Sequence, residues 1–320
     1  MQTRRDSPLI SRGLQGAALR YFLAVVRTGS LSDAAVQLNV TPSAVSRQVA
    51  TLEELLDVPL FERRPRGMVP SAAGELLAAH VRRGELEADR VVSDIQGLRG
   101  LRRGRVRIGS SAGFALEFLP RVIAEFHGRY PGLQFNLQTA SPAAVGTLVV
   151  HGEVDLGLTY SRSAEQDLHV LHRQNAPVMA IMRPDHPLAH HATVTLAQMH
   201  GYPIALPGPE NTVRQLFDIG CSERSLVFQP VLSSNQFETL TNFVLHGGGL
   251  SISGELTVRG RLERGELRAA QIRDPGMRSR SVELQTLAGR TLPESVATFA
   301  EFLRERLPPA TASDHLARRT

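Results

Sequence analysis

Ser30-Leu31-Ser32-Asp33-Ala34-Ala35-Val36-Gln37-Leu38-Asn39-Val40-Thr41-Pro42-Ser43-Ala44-Val45-Ser46-Arg47-Gln48 is the stretch that decides how the first third of this chain folds. Ser30 suits a helix N-cap, and Asp33 completes a capping-box-like start. Ala34, Ala35 and Leu38 give that helix an apolar face, and Asn39 is a suitable stop. Thr41 then offers a hydroxyl cap, and Pro42 fills the first position of a second helix, where its missing N–H costs nothing. Val45, Val49, Leu52, Leu55 and Leu56 recur at three- and four-residue steps and face a core. Ser43, Ser46, Arg47 and Gln48 are left on the opposite side. Small hydroxyls with Arg and Gln are what a helix needs to read base edges in a major groove. A merely solvated face would more often carry Glu and Lys.

The flanking segments support that reading. Ala17–Thr28 is helical, with Leu19, Phe22, Leu23 and Val26 on one face, and Gly29 ends it. After the second helix, Val58-Pro59 turns the chain and Phe61 is a candidate buried anchor. Arg63-Arg64-Pro65-Arg66-Gly67 then forms a hairpin tip, a wing whose Arg63, Arg64 and Arg66 suit phosphate or the minor groove. With Ser32, Thr41 and Pro42, these arginines and the reading-face residues make up the candidate DNA contacts. Ser71 caps a long helix reaching roughly to Leu98. Leu77, Val81, Gly84, Ala88, Val91 and Ile95 follow alternating steps of four and three, a heptad seam. At 1.5 Å per residue this helix is about 40 Å long. Its stripe calls for a partner helix, most simply from a second copy; the alternative is that it packs on its own domain.

Charge is unevenly placed along the 320 residues. Residues 1–105 carry 16 Arg against 11 Asp plus Glu, net +5, whereas residues 106–320 carry 20 against 20. The excess sits in the part expected to meet a polyanion. Lysine is absent, so all 36 basic residues are arginine. A single cysteine, Cys221, excludes an internal disulfide. Arg4-Arg5 is not followed by an apolar export region, and no run approaches the ~20 apolar residues of a membrane span. A cytoplasmic protein with no membrane association is expected.

Leu98–Gly104 is a basic, glycine-broken hinge, beyond which the pattern changes. Strand candidates are Arg105–Gly109, Leu133–Thr139, Asp155–Thr159, Val178–Met182, Tyr202–Leu206, Leu226–Leu232, Leu250–Ile252 and Ser281–Leu287. Helices are expected at Leu116–His127, Pro142–His151, Thr195–Met199, Thr212–Ile219, Phe237–His246 and Pro293–Leu307. Such alternation argues an α/β fold with largely parallel sheet, and two lobes with a ligand cleft between them account for the length. Gly109-Ser110-Ser111-Ala112-Gly113 fits G-x-S-x-G, the nucleophile elbow of a serine hydrolase. The competing reading has Ser110, Ser111 and the amides through Ala112 and Gly113 binding an anion at a helix start. His186, His190 and His191 could suggest a metal but read as a turn, and Gly247-Gly248-Gly249 lacks the spacing of a nucleotide loop. No metal and no cofactor are expected.

These residues together resemble the LysR-type transcriptional regulators over nearly all of 17–307. The match runs through Gly29-Ser30-Leu31, Ala34-Ala35, Thr41–Gln48, Leu60-Phe61-Glu62-Arg63 and Pro70-Ser71-Ala72-Ala73-Gly74-Glu75. It continues with Tyr130-Pro131, Gly152-Glu153-Val154-Asp155-Leu156-Gly157-Leu158, Asp185-His186-Pro187-Leu188-Ala189 and Gly247–Ile252. The resemblance implies a winged helix-turn-helix (17–73), a linker and dimerisation helix (71–98), a hinge (99–104) and an effector domain (105–307). It also implies an N-terminal extension (1–16) and a C-terminal tail (308–320). The effector domain would be two-lobed, like type 2 periplasmic binding proteins, with lobe I at 105–177 and 279–307 and lobe II at 178–278. The implied partners are operator DNA, a small anionic effector of carboxylate type, and further copies forming a dimer and then a tetramer. RNA polymerase is a further candidate. Effector contacts would fall on Ser110, Ser111, Ala112, Gly113, Thr139, Pro207, Asn211, Thr212 and Asn235. The chain departs from the family at His246 and at Ser253-Gly254-Glu255, where a proline-containing stretch is usual; both would lie at the cleft mouth. The rivals are a solute-binding protein with a helical tail and a serine hydrolase using Ser111.

Overall fold

The computed structural model describes residues 16–64, 67–97, 104–161, 167–278 and 280–307. The expected N-terminal extension, apart from Gly16, and the C-terminal tail lie outside them, as do residues 99–103 of the hinge. The chain divides into two compact units, Met1–Asp89 and Arg90–Thr320.

The first unit contains α1 (Ala17–Thr28), α2 (Leu31–Leu38), α3 (Pro42–Leu56), the hairpin β1 (Phe61–Arg64) and β2 (Gly67–Pro70), and the start of α4 (Ala72–Gly97). Local chemistry sets these boundaries. Ser30 Oγ accepts from Asp33 N at 3.3 Å, and Thr41 Oγ1 accepts from Ala44 N at 3.3 Å. Asn39 stops α2 in the left-handed region, at φ 54. Gly29 ends α1 at φ 66, and its carbonyl accepts from Met68 N at 2.8 Å, tying the helix end to the hairpin. Gly67 has φ 125, and a Cβ there would sit 2.5 Å from that carbonyl, so only glycine lets the two backbones meet. Phe22, Val45, Val49, Leu52 and Leu60 are buried in one cluster, with the Phe22 and Phe61 rings 5.3 Å apart.

The second unit carries two sheets. The first, in order β4-β3-β5-β13-β6, uses β3 (Gly104–Ser111), β4 (Leu133–Ala140), β5 (Leu156–Ser161), β6 (Leu168–Asn175) and β13 (Ser281–Leu287). The second, β10-β9-β11-β7-β12-β8, uses β7 (Met179–Met182), β8 (Thr193–Val194), β9 (Ile204–Pro207), β10 (Leu232–Ser234), β11 (Leu250–Ser253) and β12 (Arg268–Ile272). Between the strands run α5 (Ala112–Ala115), α6 (Phe118–Arg129), α7 (Pro142–Val150), α8 (Leu196–Met199), α9 (Thr212–Glu223), α10 (Phe237–Leu245), α11 (Glu255–Glu263) and, last, α12 (Glu294–Arg306).

Several expectations need correction. The sheets are mixed rather than largely parallel: β13 is antiparallel to β5 and β6, and β7 is antiparallel to β11 and β12. Strands that enter from the other lobe need no right-handed crossover, so nothing forces them parallel. The Leu226–Leu232 strand reduces to β10, which begins at Leu232, and β6, β8, β12 and α11 were not anticipated. The helix expected from Leu116 begins at Phe118, as α6, and a separate four-residue helix, α5, precedes it.

The chain crosses between the two sheets at 176–178 and again before β13. The crossings are bonded to each other: Ala176 N donates to Arg280 O at 3.0 Å, and Val178 N donates to Met277 O at 2.8 Å. Under β3 and β5 lies a buried charge network. The Asp155 carboxylate receives Arg107 N at 2.8 Å, Arg107 Nη2 at 2.8 Å and Arg290 Nη2 at 2.7 Å. Burial alone would raise the Asp155 carboxyl pKa, but the Arg107 bonds and the Arg107 and Arg290 charges outweigh it and hold it below the ordinary value.

Candidate nucleic-acid interface and effector cleft

On α3 the apolar side docks Val45, Val49 and Leu52 into the core, so the opposite side must face outward. Ser43 and Arg47 are exposed there, while Ser46 and Gln48 are half-buried. Thr41 Oγ1 and Ser43 Oγ lie 3.0 Å apart, and Thr51 Oγ1 donates to Arg47 O at 2.9 Å. Pro42 and Ser32 are exposed, at the starts of α3 and α2. On the wing, Arg64 Nη2 reaches Glu62 Oε2 at 2.8 Å, with both side chains largely exposed. Such a surface pair is weak, so Arg64 can exchange it for a phosphate at small cost. The Arg63 backbone lies in β1; its side chain and all of Arg66 lie outside the described residues.

The long helix divides its stripe. Leu77 (7% exposed) and Val81 (8%) are buried in the core of their own domain beside Ala78, so these two do not form part of an open seam. The reason is geometric: the first turns of α4 close the bottom of the winged domain, and one face cannot serve two partners. Past Gly84 the stripe changes character. Ala88 is exposed, as are Val91 (44%), Val92 (54%) and Ile95 (61%), an apolar surface of the kind a second helix would cover.

At the end of β3, Ser110 and Ser111 are both buried, and Ser110 pairs with the exposed Thr139 on β4. Ser111 Oγ shares a 2.8 Å hydrogen bond with Thr159 Oγ1, a hydroxyl where a nucleophile elbow would need an imidazole. Because α5 is only four residues long, Ala112 and Gly113 do not begin the long helix whose amides were expected to hold an anion. What comes against Gly113 from the other lobe is Thr257 of α11. Pro207 is buried at the end of β9 and pairs with Ser234, next to the exposed Asn235. Asn211 Oδ1 accepts from Val213 N at 3.0 Å, so it caps α9, whose first residue is Thr212. The candidate effector residues therefore form two groups, one at the end of β3 and one around β9 and β10. His186 Nδ1 accepts from Leu188 N at 3.1 Å and so caps a turn.

The lobes are also bridged on the outside, by Glu117 Oε1 to Arg264 Nη1 at 2.9 Å and Arg121 Nη1 to Glu263 Oε2 at 3.1 Å. Sequence reasoning missed Thr159, Tyr160, Gly254 and Arg280. Arg280 stacks on the Tyr160 ring, its Cζ 4.0 Å from the centroid, while Phe114 stacks against the same ring at 4.6 Å. Only Gly254 carried a signal, as the middle of a segment departing from the family pattern.

Two family models match the chain. The bacterial regulatory helix-turn-helix protein model of the lysR family covers residues 17–75, and the LysR substrate binding domain model covers residues 99–308. The chain belongs to the LysR-type transcriptional regulators. A probable RuBisCO transcriptional regulator of Synechocystis sp. is 29% identical over 302 residues, 91% of this chain and 85% of its own. The transcriptional activator protein LysR of Escherichia coli is 27% identical over 239 residues, 75% of this chain and 77% of its own. Among solved structures, a cysteine variant of full-length OxyR from Pseudomonas aeruginosa superposes with TM-score 0.67 at 19% identity, covering 90% of this chain and 93% of that one. The Synechocystis CcmR regulatory domain, solved in complex with 2-PG, superposes with TM-score 0.53 at 22% identity, covering 63% of this chain and 97% of that one. The relatives are transcriptional regulators and not enzymes. Among the described residues, no helix is long and apolar enough to cross a membrane.

Proposed function

We propose that this regulator binds an operator through the outer face of α3, acts in the cytoplasm, and responds to a small carboxylate effector held between its two lobes. The observation that carries the first part is the capped α3 helix. Its Val45, Val49 and Leu52 side is spent on the core, leaving Ser43 and Arg47 outward with Ser46 and Gln48 beside them. Arg64, with Arg63 and Arg66, grips the flanking backbone. Residues 17–73 are the reading domain and 71–98 the linker helix, with assembly into a dimer and then a tetramer through its exposed half, Ala88 to Ile95. Residues 99–104 are the hinge, and the effector domain spans 105–307, with lobes at 105–177 plus 279–307 and at 178–278. RNA polymerase is the partner through which the bound regulator would act.

The effector part is supported by the buried hydroxyls of Ser110 and Ser111 at the end of β3 and Thr159 on β5, and by a regulatory domain of this fold having been solved with a small molecule. An effector acts only through differential affinity for two arrangements of the oligomer. The test isolates bound genomic fragments, then measures fragment affinity with and without fractionated cell-extract metabolites. Ser111→Ala is expected to keep the effector-free affinity and lose the response. A Ser111→Ala protein that responds like the wild type removes the cleft assignment, and loss of binding to every fragment in the wild type removes the operator reading.

A further inference from the structure

The two sides of α11 belong to different halves of the second unit. Leu256, Thr257, Gly260, Glu263 and Arg264 follow steps of three and four and share one side of the helix, while Val258 and Leu262 lie on the opposite side. Val258 is buried with Ile181, Val244 and Leu267 against the second sheet, and Leu262 packs on that cluster. Leu256, two residues earlier, is buried in the apolar cluster of the first sheet, with Phe114, Phe118 and Tyr160. One helix thus contributes to the cores of both lobes.

The side of α11 that meets the first lobe is fitted closely. A Cβ on Gly113 would be blocked by Thr257, which supplies all three of its nearest atoms. A Cβ on Gly260 would overlap the Glu117 carboxylate. One on Gly254, the N-cap, would sit 2.5 Å from Tyr160 Oη and 2.7 Å from Arg280 Nη2. None of these three glycines has a positive φ, so each is glycine for room and not for backbone conformation. Farther along the helix, Glu117 to Arg264 at 2.9 Å and Arg121 to Glu263 at 3.1 Å continue the same contact. Those pairs are half-exposed and weak, so the buried Leu256 and Thr257 carry it.

We propose that α11 clamps the two lobes into one fixed arrangement in the ligand-free protein, so that they turn as one body and not as two jaws. The inference stands on contacts within the second unit and on no assumption about what the cleft holds. The two crossings, bonded to each other through Ala176 with Arg280 and Val178 with Met277, would alone leave the lobes free to rotate about that line. An attachment away from the line removes the freedom. Beginning beside Arg280 at Gly254, the nine residues of α11 extend about 14 Å at 1.5 Å per residue, and contact with the first lobe persists to Arg264. The lobes cannot part along that length without pulling Leu256 from one core or Val258 from the other, and either move exposes apolar surface to water. A ligand then acts on this domain by changing how α11 is seated, since no free jaw motion is left to carry its effect.

The test measures the distance between the lobes in the full-length protein without effector or DNA. Spin labels are placed on Glu301→Cys of α12 and Ala197→Cys of α8, both exposed positions, in a Cys221→Ala background. Doubly labelled chains are diluted into excess unlabelled protein, so that pulsed electron resonance reads distances within one chain. A single narrow distribution is expected. Gly113→Ala should shift or broaden it, and adding Thr257→Ala, which removes the two nearest blocking atoms, should restore the narrow peak. If Gly113→Ala fails to fold, Leu256→Ala decides in its place: it leaves a void where the other variant makes a clash, and it should broaden the distribution. A wild-type distribution with two populations overturns the proposal. So does a Gly113→Ala distribution equal to wild type, one that Thr257→Ala fails to restore, or an unchanged Leu256→Ala. Because neither effector nor DNA is present, such a result leaves the operator and cleft readings as they stand.

Discussion

Replacing Asp155 with asparagine tests what holds the first lobe together beneath its binding elements. The carboxylate lies at the entry to β5, whose far end carries Thr159 and Tyr160, and its side chain is only 4% exposed beside Arg290 at 6%. Four donors converge on it: Arg107 N, Nε and Nη2 at 2.8, 3.2 and 2.8 Å, and Arg290 Nη2 at 2.7 Å. Asp155→Asn keeps the shape but removes the charge and turns one acceptor into a donor facing arginine. Breaking a buried pair from one side costs about 3–5 kcal/mol, because the remaining cations stay buried without compensation. For a domain of this size that lowers the thermal midpoint by about 6 to 20 °C. Urea unfolding supplies the free energy, with the denaturant slope as the check that compactness is unchanged. Adding Arg290→Met should recover part of the loss, because it removes one of the two stranded charges. The sign with pH follows from the lowered carboxyl pKa. The stabilisation is complete above the ordinary carboxylate range and is lost as pH falls through the folded value. A single-variant cost below about 1 kcal/mol, the range of exposed pairs, would refute the reasoning.

Arg47→Ala and Gln48→Ala should each cost roughly 1–3 kcal/mol on the specific site and little on random DNA, measured by fluorescence anisotropy; equal losses on both would make them backbone contacts. Val91→Glu with Ile95→Glu should dissociate the oligomer in light scattering without unfolding the winged domain, and an unchanged mass would show that this surface is not an interface. Val81→Glu, by contrast, should unfold that domain, since Val81 is part of its core. The Cys221 thiol is pushed up to about 12 by burial and by the nearby Asp218 and Asp274, so it should resist a thiol-titrating disulfide reagent near neutral pH until the protein is unfolded. Rapid labelling of the native protein would contradict that.

The winged domain and the outward face of α3 were legible along the chain. Caps at Ser30 and Thr41, the proline at the start of α3, the stop at Asn39 and the recurrence of Val45, Val49 and Leu52 are local signals, and each is expressed within one or two helical turns. The α/β alternation of the second half was readable for the same reason, wherever a strand or helix carried its own period. How surfaces are shared emerges only from the packed molecule. Leu77 and Val91 hold the same position of the heptad repeat, yet the first is spent on its own domain and the second is open, because only the three-dimensional docking of α4 distinguishes them. The strand β6 escaped because the exposed His169 and Arg173 and the half-buried His172 break any apolar period, and α11 because Gly260 sits where the Glu117 carboxylate presses against the helix. Arg280 had no signal at all. A lone arginine between Ser279 and Ser281 reads as solvated surface. It becomes a buried cation, with no carboxylate partner among the described residues, only when two chain crossings and the start of α11 close around it, contacts between distant parts of the chain that no local pattern encodes.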